Sequence, residues 1–142
     1  GRIGVMAAWG PALGEERVKD AAHYVMSLSR DKGFDEGRAQ LGQVVFNSLP
    51  ANCASCHGAE GKGTLGMAPN LTDDVWLWGN SEKNIIDTIT NGHTNEMPAW
   101  NNFLDEDKLH LMTAYVWGMA PKEQRVQAVP KTATPAAASA AQ

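Results

Sequence analysis

Apolar positions along the chain keep a helical period in four places, and nowhere do they alternate convincingly as a strand would. In residues 105–120, DEDKLHLMTAYVWGMA, the side chains of Leu109, Met112, Val116 and Met119 share one face with Tyr115 beside them, and Asp105 is placed to cap the first turn. A second helix is expected from Ser81 to about Asn91, with Gly92 free to take the left-handed conformation that ends it. A third, EGRAQLGQVVFNS, puts Leu41, Val45 and Phe46 on one side. Near the start, Val18, Ala21, Val25 and Leu28 form a further stripe. Long Gly- and Pro-containing loops lie between, notably residues 58–78, and loops of that length in a compact domain usually wrap something.

The chain also repeats itself. Shifted by 91 residues, GRIGVMAAWGPALGEERVKDAAHYVMSLS lies without gaps over GHTNEMPAWNNFLDEDKLHLMTAYVWGMA. Identical pairs include Met6/Met97, Trp9/Trp100, Leu13/Leu104, Tyr24/Tyr115 and Val25/Val116. The interval is too long for a solenoid, so it reads as a duplicated domain whose first copy is entered partway. Residues 1–32 are thus the end of a preceding domain, residues 33–121 a complete one, and residues 122–142, rich in Ala and Pro, a tail with no apolar face to bury and expected to be disordered. The helix of the first copy, separated from its own partner, should pack either on the intact domain or on another chain.

Composition narrows the picture. With 43% hydrophobic and 20% charged side chains in 142 residues, the chain can build a core, yet no apolar run nears the roughly 20 residues that span a bilayer. No signal-peptide pattern opens it. Residues 33–121 carry four basic against eleven acidic side chains, a net of −7. Such a field disfavours nucleic acid and suits either a partner with a basic face or plain solvation.

Only two cysteines occur, and Cys53-Ala54-Ser55-Cys56-His57 is the C-x-x-C-H pattern of covalent haem c attachment. Two thiols one helical turn apart can add to the vinyl groups on one porphyrin edge while the next residue turns its imidazole toward the iron. A thioredoxin-like site would need a βαβ setting, and a zinc site would need ligands beyond the scattered His23, His93 and His110. One haem is expected on this chain.

Six methionines compete for the iron face opposite His57. Met97 follows it by 40 residues in a loop between two helices, Pro98 biases it toward an extended conformation, and the first copy repeats it as Met6, a candidate ligand for a first-domain haem. Met67 lies in the loop on the His57 side, Met112 and Met119 on an apolar helix face, and Met26 in the incomplete copy. His93 suits a haem propionate better than the iron, because its counterpart is Arg2. The Pro69 carbonyl can accept a hydrogen bond from His57 and fix its ring. Trp76, Trp78 and Trp100 either line the cofactor crevice, meet a partner or pack in the core. Asn70-Leu71-Thr72 matches a glycosylation sequon by coincidence, and His23 and His110 are expected to be solvated.

With Gly42 and Phe46 ahead of the C-x-x-C-H segment, Pro69-Asn70-Leu71 after it, then Met97 and a last helix with Tyr115, residues 33–121 resemble class I cytochromes c. The resemblance implies an all-α fold in which first and last helices cross, Gly42 allowing close approach and Phe46 meeting the region of Leu111 to Tyr115. The seven-residue step from Phe46 to Cys53 is longer than usual in that family. More narrowly, NLTDDVWLWG followed by MPAW, with the upstream copy, resembles the di-haem subunit III (FixP/CcoP type) of cbb3-type oxidases. That implies an electron-transfer subunit, not an enzyme in isolation, tethered on the periplasmic side of the bacterial inner membrane. Its partners would be the catalytic and mono-haem subunits, a periplasmic donor cytochrome and an upstream haem domain. A soluble relay for another complex, and a haem peroxidase or gas sensor with an open sixth site, are the rival readings.

Overall fold

The computed structural model describes residues 2–29 and 33–120; the tail expected at 122–142 lies outside them. The chain divides into two compact units, Gly1–Pro98 and Ala99–Gln142.

The first unit runs β1 (Arg2–Met6), α1 (Gly10–Leu13), α2 (Glu15–Leu28), α3 (Glu36–Asn47), α4 (Ala54–His57), α5 (Glu82–Asn91) and β2 (His93–Met97). Its helix ends have chemical causes. Asp35 accepts from the amide of Arg38 to start α3, Ser81 accepts from that of Asn84 to start α5, and Gly92 (φ 64°) closes α5. The core gathers Leu13, Val18, Ala21, Ala22, Tyr24, Val25 and Met26 from α1 and α2 with Phe46, Ala51, Ile85 and Ile89 from further along the chain. The α2 helix therefore packs on α3 and α5. Gly42 makes this possible, since a Cβ there would run into the carbonyl of Asp20 and the Cβ of Tyr24.

Two expectations change. Phe46 meets Tyr24 of α2, edge to face at 5.1 Å, where the resemblance implied a partner in the region of Leu111 to Tyr115. The fold is helix-rich but not wholly helical, because β1 and β2 form an antiparallel ribbon in which Arg2 faces Met97 and Met6 faces His93. Neither RIGVM nor HTNEM alternates in polarity, so the ribbon left no strand signature.

The second unit holds a 3-10 turn (Trp100–Asn102) and α6 (Glu106–Met119). Asp105 caps α6 as expected, accepting from the amide of Lys108 at 2.9 Å. The helix contributes no buried residue, and Leu111, Met112, Tyr115, Val116, Trp117 and Met119 are exposed. Among the described residues no helix is long and apolar enough to cross a membrane.

Candidate cofactor site

Residues 53–57 form a single turn, built because Cys53 serves as N-cap and its carbonyl accepts from the amides of Cys56 (3.2 Å) and His57 (2.9 Å). Gly58, at φ 80°, ends it. The turn carries two free thiols, Cys53 half-buried against the core and Cys56 exposed. Burial pushes the Cys53 thiol up from its ordinary range.

His57 is 9% exposed. Its Nδ1 lies 3.0 Å from the carbonyl oxygen of Pro69. A carbonyl only accepts, so Nδ1 carries the proton and Nε2 presents its lone pair. Burial holds the imidazole pKa below its ordinary value and so keeps the ring neutral, the Pro69 carbonyl opposing this in part. The loop that delivers Pro69 is pinned by three backbone bonds: Gly63 N to His57 O (2.7 Å), Leu71 N to Gly61 O (2.7 Å) and Thr64 N to Ala68 O (3.0 Å). Asn70, the sequon residue, spends its side-chain oxygen on the amide (2.9 Å) and hydroxyl (2.8 Å) of Thr72.

These donors fit a covalent haem. Two unpaired thiols one turn apart, beside a neutral imidazole whose outer nitrogen is held as a donor to metal, match its attachment edge and one axial position. They do not fit a zinc site, since among the described residues no group of three or more His, Cys, Asp or Glu side chains is placed to hold a metal ion.

The other predicted residues fall in distinct places. His93 is half-buried, stacked on Trp78 at 4.3 Å and 9°, with Nε2 3.1 Å from the Thr88 hydroxyl. Trp76 and Leu71 pack against the same core as Cys53. Met97 is 61% exposed on β2, whereas Met6, opposite His93, is half-buried and packs against that core. Trp100 is in the second unit, edge to face with Phe103 at 5.7 Å. His110 is exposed, but His23 is not solvated as expected. It is buried at 7% exposure because Nδ1 accepts from the amide of Asp35 (3.0 Å) and Nε2 lies 3.4 Å from the Glu82 carboxylate. Both partners are distant in sequence, so no local pattern announced them.

A helical domain that presents two thiols on one turn beside a buried neutral histidine is a cytochrome c domain. A family model described as cytochrome c oxidase, cbb3-type, subunit III matches residues 37–116, and the chain belongs to that family. The chain is 40% identical over 117 residues to the cbb3-type cytochrome c oxidase subunit FixP of Azorhizobium caulinodans, covering 82% of this chain and 39% of that protein. It is 42% identical over 122 residues to the subunit CcoP of Rubrivivax gelatinosus, covering 84% and 38%. A FixP subunit of Bradyrhizobium diazoefficiens is 41% identical over 119 residues, covering 80% and 39%. The chain thus spans about two-fifths of the length of these curated relatives.

Proposed function

We propose that this chain holds one haem c, bonded through Cys53 and Cys56 with His57 as an axial ligand, and that it relays electrons as the second haem domain of the di-haem subunit of a cbb3-type oxidase. The observation that carries this reading is the His57 geometry: a buried ring with Nδ1 3.0 Å from the Pro69 carbonyl and Nε2 left for the iron. Bound there, the haem supplies reversible one-electron transfer. The chain's own residues then hold the ligand sphere constant. Pro69 fixes the imidazole plane, and the Gly58 to Leu71 loop locks Pro69 through its backbone bonds. A methionine from a Met-x-Ala-Trp segment, Met97 by the order of the sequence, would supply the further ligand, a neutral thioether that favours the reduced state.

Cys56, exposed at the end of its turn, marks the edge through which electrons enter or leave. The stacked His93 and Trp78 pair would border the propionates, with Trp100 a further candidate lining residue. By kinship with FixP and CcoP subunits, the partners would be the catalytic and mono-haem subunits, a periplasmic donor cytochrome and an upstream haem domain. The location would be the periplasmic face of the inner membrane. An intact mass of the chain matured with haem tests the attachment. One haem should be added to the polypeptide and retained under denaturing conditions, and Cys53→Ser with Cys56→Ser should abolish it. A mass without haem, or haem retained by the double variant, would refute the attachment.

A further inference from the structure

Beyond the C-x-x-C-H turn, Gly61 (φ 69°), Gly63 (φ 78°) and Gly66 (φ 81°) share a left-handed backbone, yet their surroundings differ. A Cβ on Gly66 would meet nothing within 4 Å. One on Gly61 would reach the end of the Leu28 side chain at 2.6 Å, and a side-chain tip can turn aside. One on Gly63 would stand 2.7 Å from the Pro69 carbonyl carbon, 2.7 Å from the Asn70 nitrogen and 2.8 Å from the Ala68 oxygen, all of them backbone atoms. Residue 63 therefore runs directly against the Pro69–Asn70 peptide, an approach that any side chain would block.

This approach closes a ring of contacts around the imidazole. The Gly63 amide donates to the backbone oxygen of His57 at 2.7 Å, and the Pro69 oxygen on the neighbouring peptide lies 3.0 Å from His57 Nδ1. Backbone and ring of His57 are thus tied to the two strands of the loop, and the thickness of the chain at residue 63 sets the spacing between those strands. The flanks of the peptide are held as well. Thr64 and Ala68 exchange two backbone bonds, at 3.0 and 3.1 Å, and the Leu71 amide donates to Gly61 at 2.7 Å. A side chain at residue 63 would be accommodated by the peptide that carries the Pro69 oxygen.

We propose that Gly63 is a positioning residue for the iron ligand: by leaving room for the Pro69–Asn70 peptide it sets the strength of the His57 Nδ1 hydrogen bond and, through it, the potential of the haem. The inference rests on the attachment proposed above and deepens it. A carbonyl that accepts from Nδ1 makes Nε2 a better donor, which favours ferric iron and lowers the potential; moving that carbonyl away does the reverse. The test compares Gly63→Ala with Gly66→Ala in the chain matured with haem, because both place a Cβ on a left-handed residue and only the first meets the peptide. The readouts are the reduction potential and, in the diamagnetic ferrous form, hydrogen exchange of the His57 Nδ1 proton followed by NMR. Gly63→Ala should raise the potential and speed that exchange about tenfold, the net worth of one hydrogen bond, while Gly66→Ala should change neither. Gly63→Asn, which suits a left-handed backbone but keeps the Cβ, should behave like Gly63→Ala. In the unmodified chain, the Gly63 amide and the His57 Nδ1 proton should show matching protection once corrected for intrinsic rates, because one opening frees both. An unchanged potential and Nδ1 exchange in the Gly63 variants, equal shifts in Gly66→Ala, or a Gly63 amide far less protected than Nδ1 in the unmodified chain would overturn the inference. A wild-type chain whose mass lacks haem would sink the attachment and this inference together, whereas any of those outcomes in a chain of correct mass sinks the role of Gly63 alone.

Discussion

Helices α2 and α6 align with one another at an offset of 91 residues but differ in burial. The first supplies eight buried residues to its surroundings and the second none. The apolar residues of α2 gather on one face, whereas those of α6 are spread around the helix. The two also differ in what interrupts the stripe. Asp20 and His23 are buried polar groups with partners on other elements, and their equivalents in α6 are Leu111 and Ala114. Paired polar groups add little net stability but penalise every arrangement that leaves them unpaired. Asp20 and His23 thus label α2 for its place against α3 and α5.

The comparison can be broken most severely at the helix crossing. Gly42→Val would drive a side chain into the Asp20 carbonyl and should cost about 3 kcal/mol or more in thermal or chemical unfolding. Gly118→Ala in α6, where a Cβ meets nothing within 4 Å, should instead stabilise that helix by about 0.5–1 kcal/mol. Next in size, Tyr24→Ala removes the edge-to-face partner of Phe46 and should cost about 3 kcal/mol, against less than about 0.5 kcal/mol for Tyr115→Ala. Equal losses from the two tyrosines, read from denaturant midpoints, would mean that both helices are packed alike.

The labels themselves should have smaller effects. Asp20→Leu, which copies the α6 residue into α2, leaves Arg38 with Glu16 only and should cost about 1–2 kcal/mol. A gain in stability would show that the pair is no label. The smallest effect concerns pH. The Arg38 hydrogen bond holds the Glu16 carboxyl below its ordinary value of 4.5, so the unfolded chain takes up this proton more readily than the folded one. Its contribution is complete above that value and fades as the pH falls through the depressed one. Because both side chains are exposed, the acid destabilisation should be slight, weaker still in high salt, and reduced in Arg38→Met, where Lys19 alone still lowers the Glu16 carboxyl.

Local signals made much of this legible. The bounds of α5 and the start of α6 follow from Ser81, Gly92 and Asp105, which act within their own turns. His57 and Pro69 are only 12 residues apart in sequence, so spacing sufficed to anticipate the hydrogen bond. What stayed hidden is long-range. The ribbon joins residues about 90 apart in sequence with no alternation in either strand. His23 lies off the apolar stripe, and only its partners on the α3 cap and α5 explain its burial. That Tyr24 meets Phe46 could not be read from a sequence in which the same residue recurs as Tyr115; it depends on Gly42 and Arg38, which seat α2.

Residues 53–57 and Pro69 are proposed to hold a haem whose coordination does not change when it gains or loses an electron. A spectroelectrochemical titration of the chain matured with haem tests it directly. The account predicts a single reversible one-electron step between six-coordinate, low-spin ferric and ferrous spectra, with no response of the ferrous form to carbon monoxide. A five-coordinate ferrous state that binds carbon monoxide rapidly and completely would contradict it and favour a haem enzyme or gas sensor.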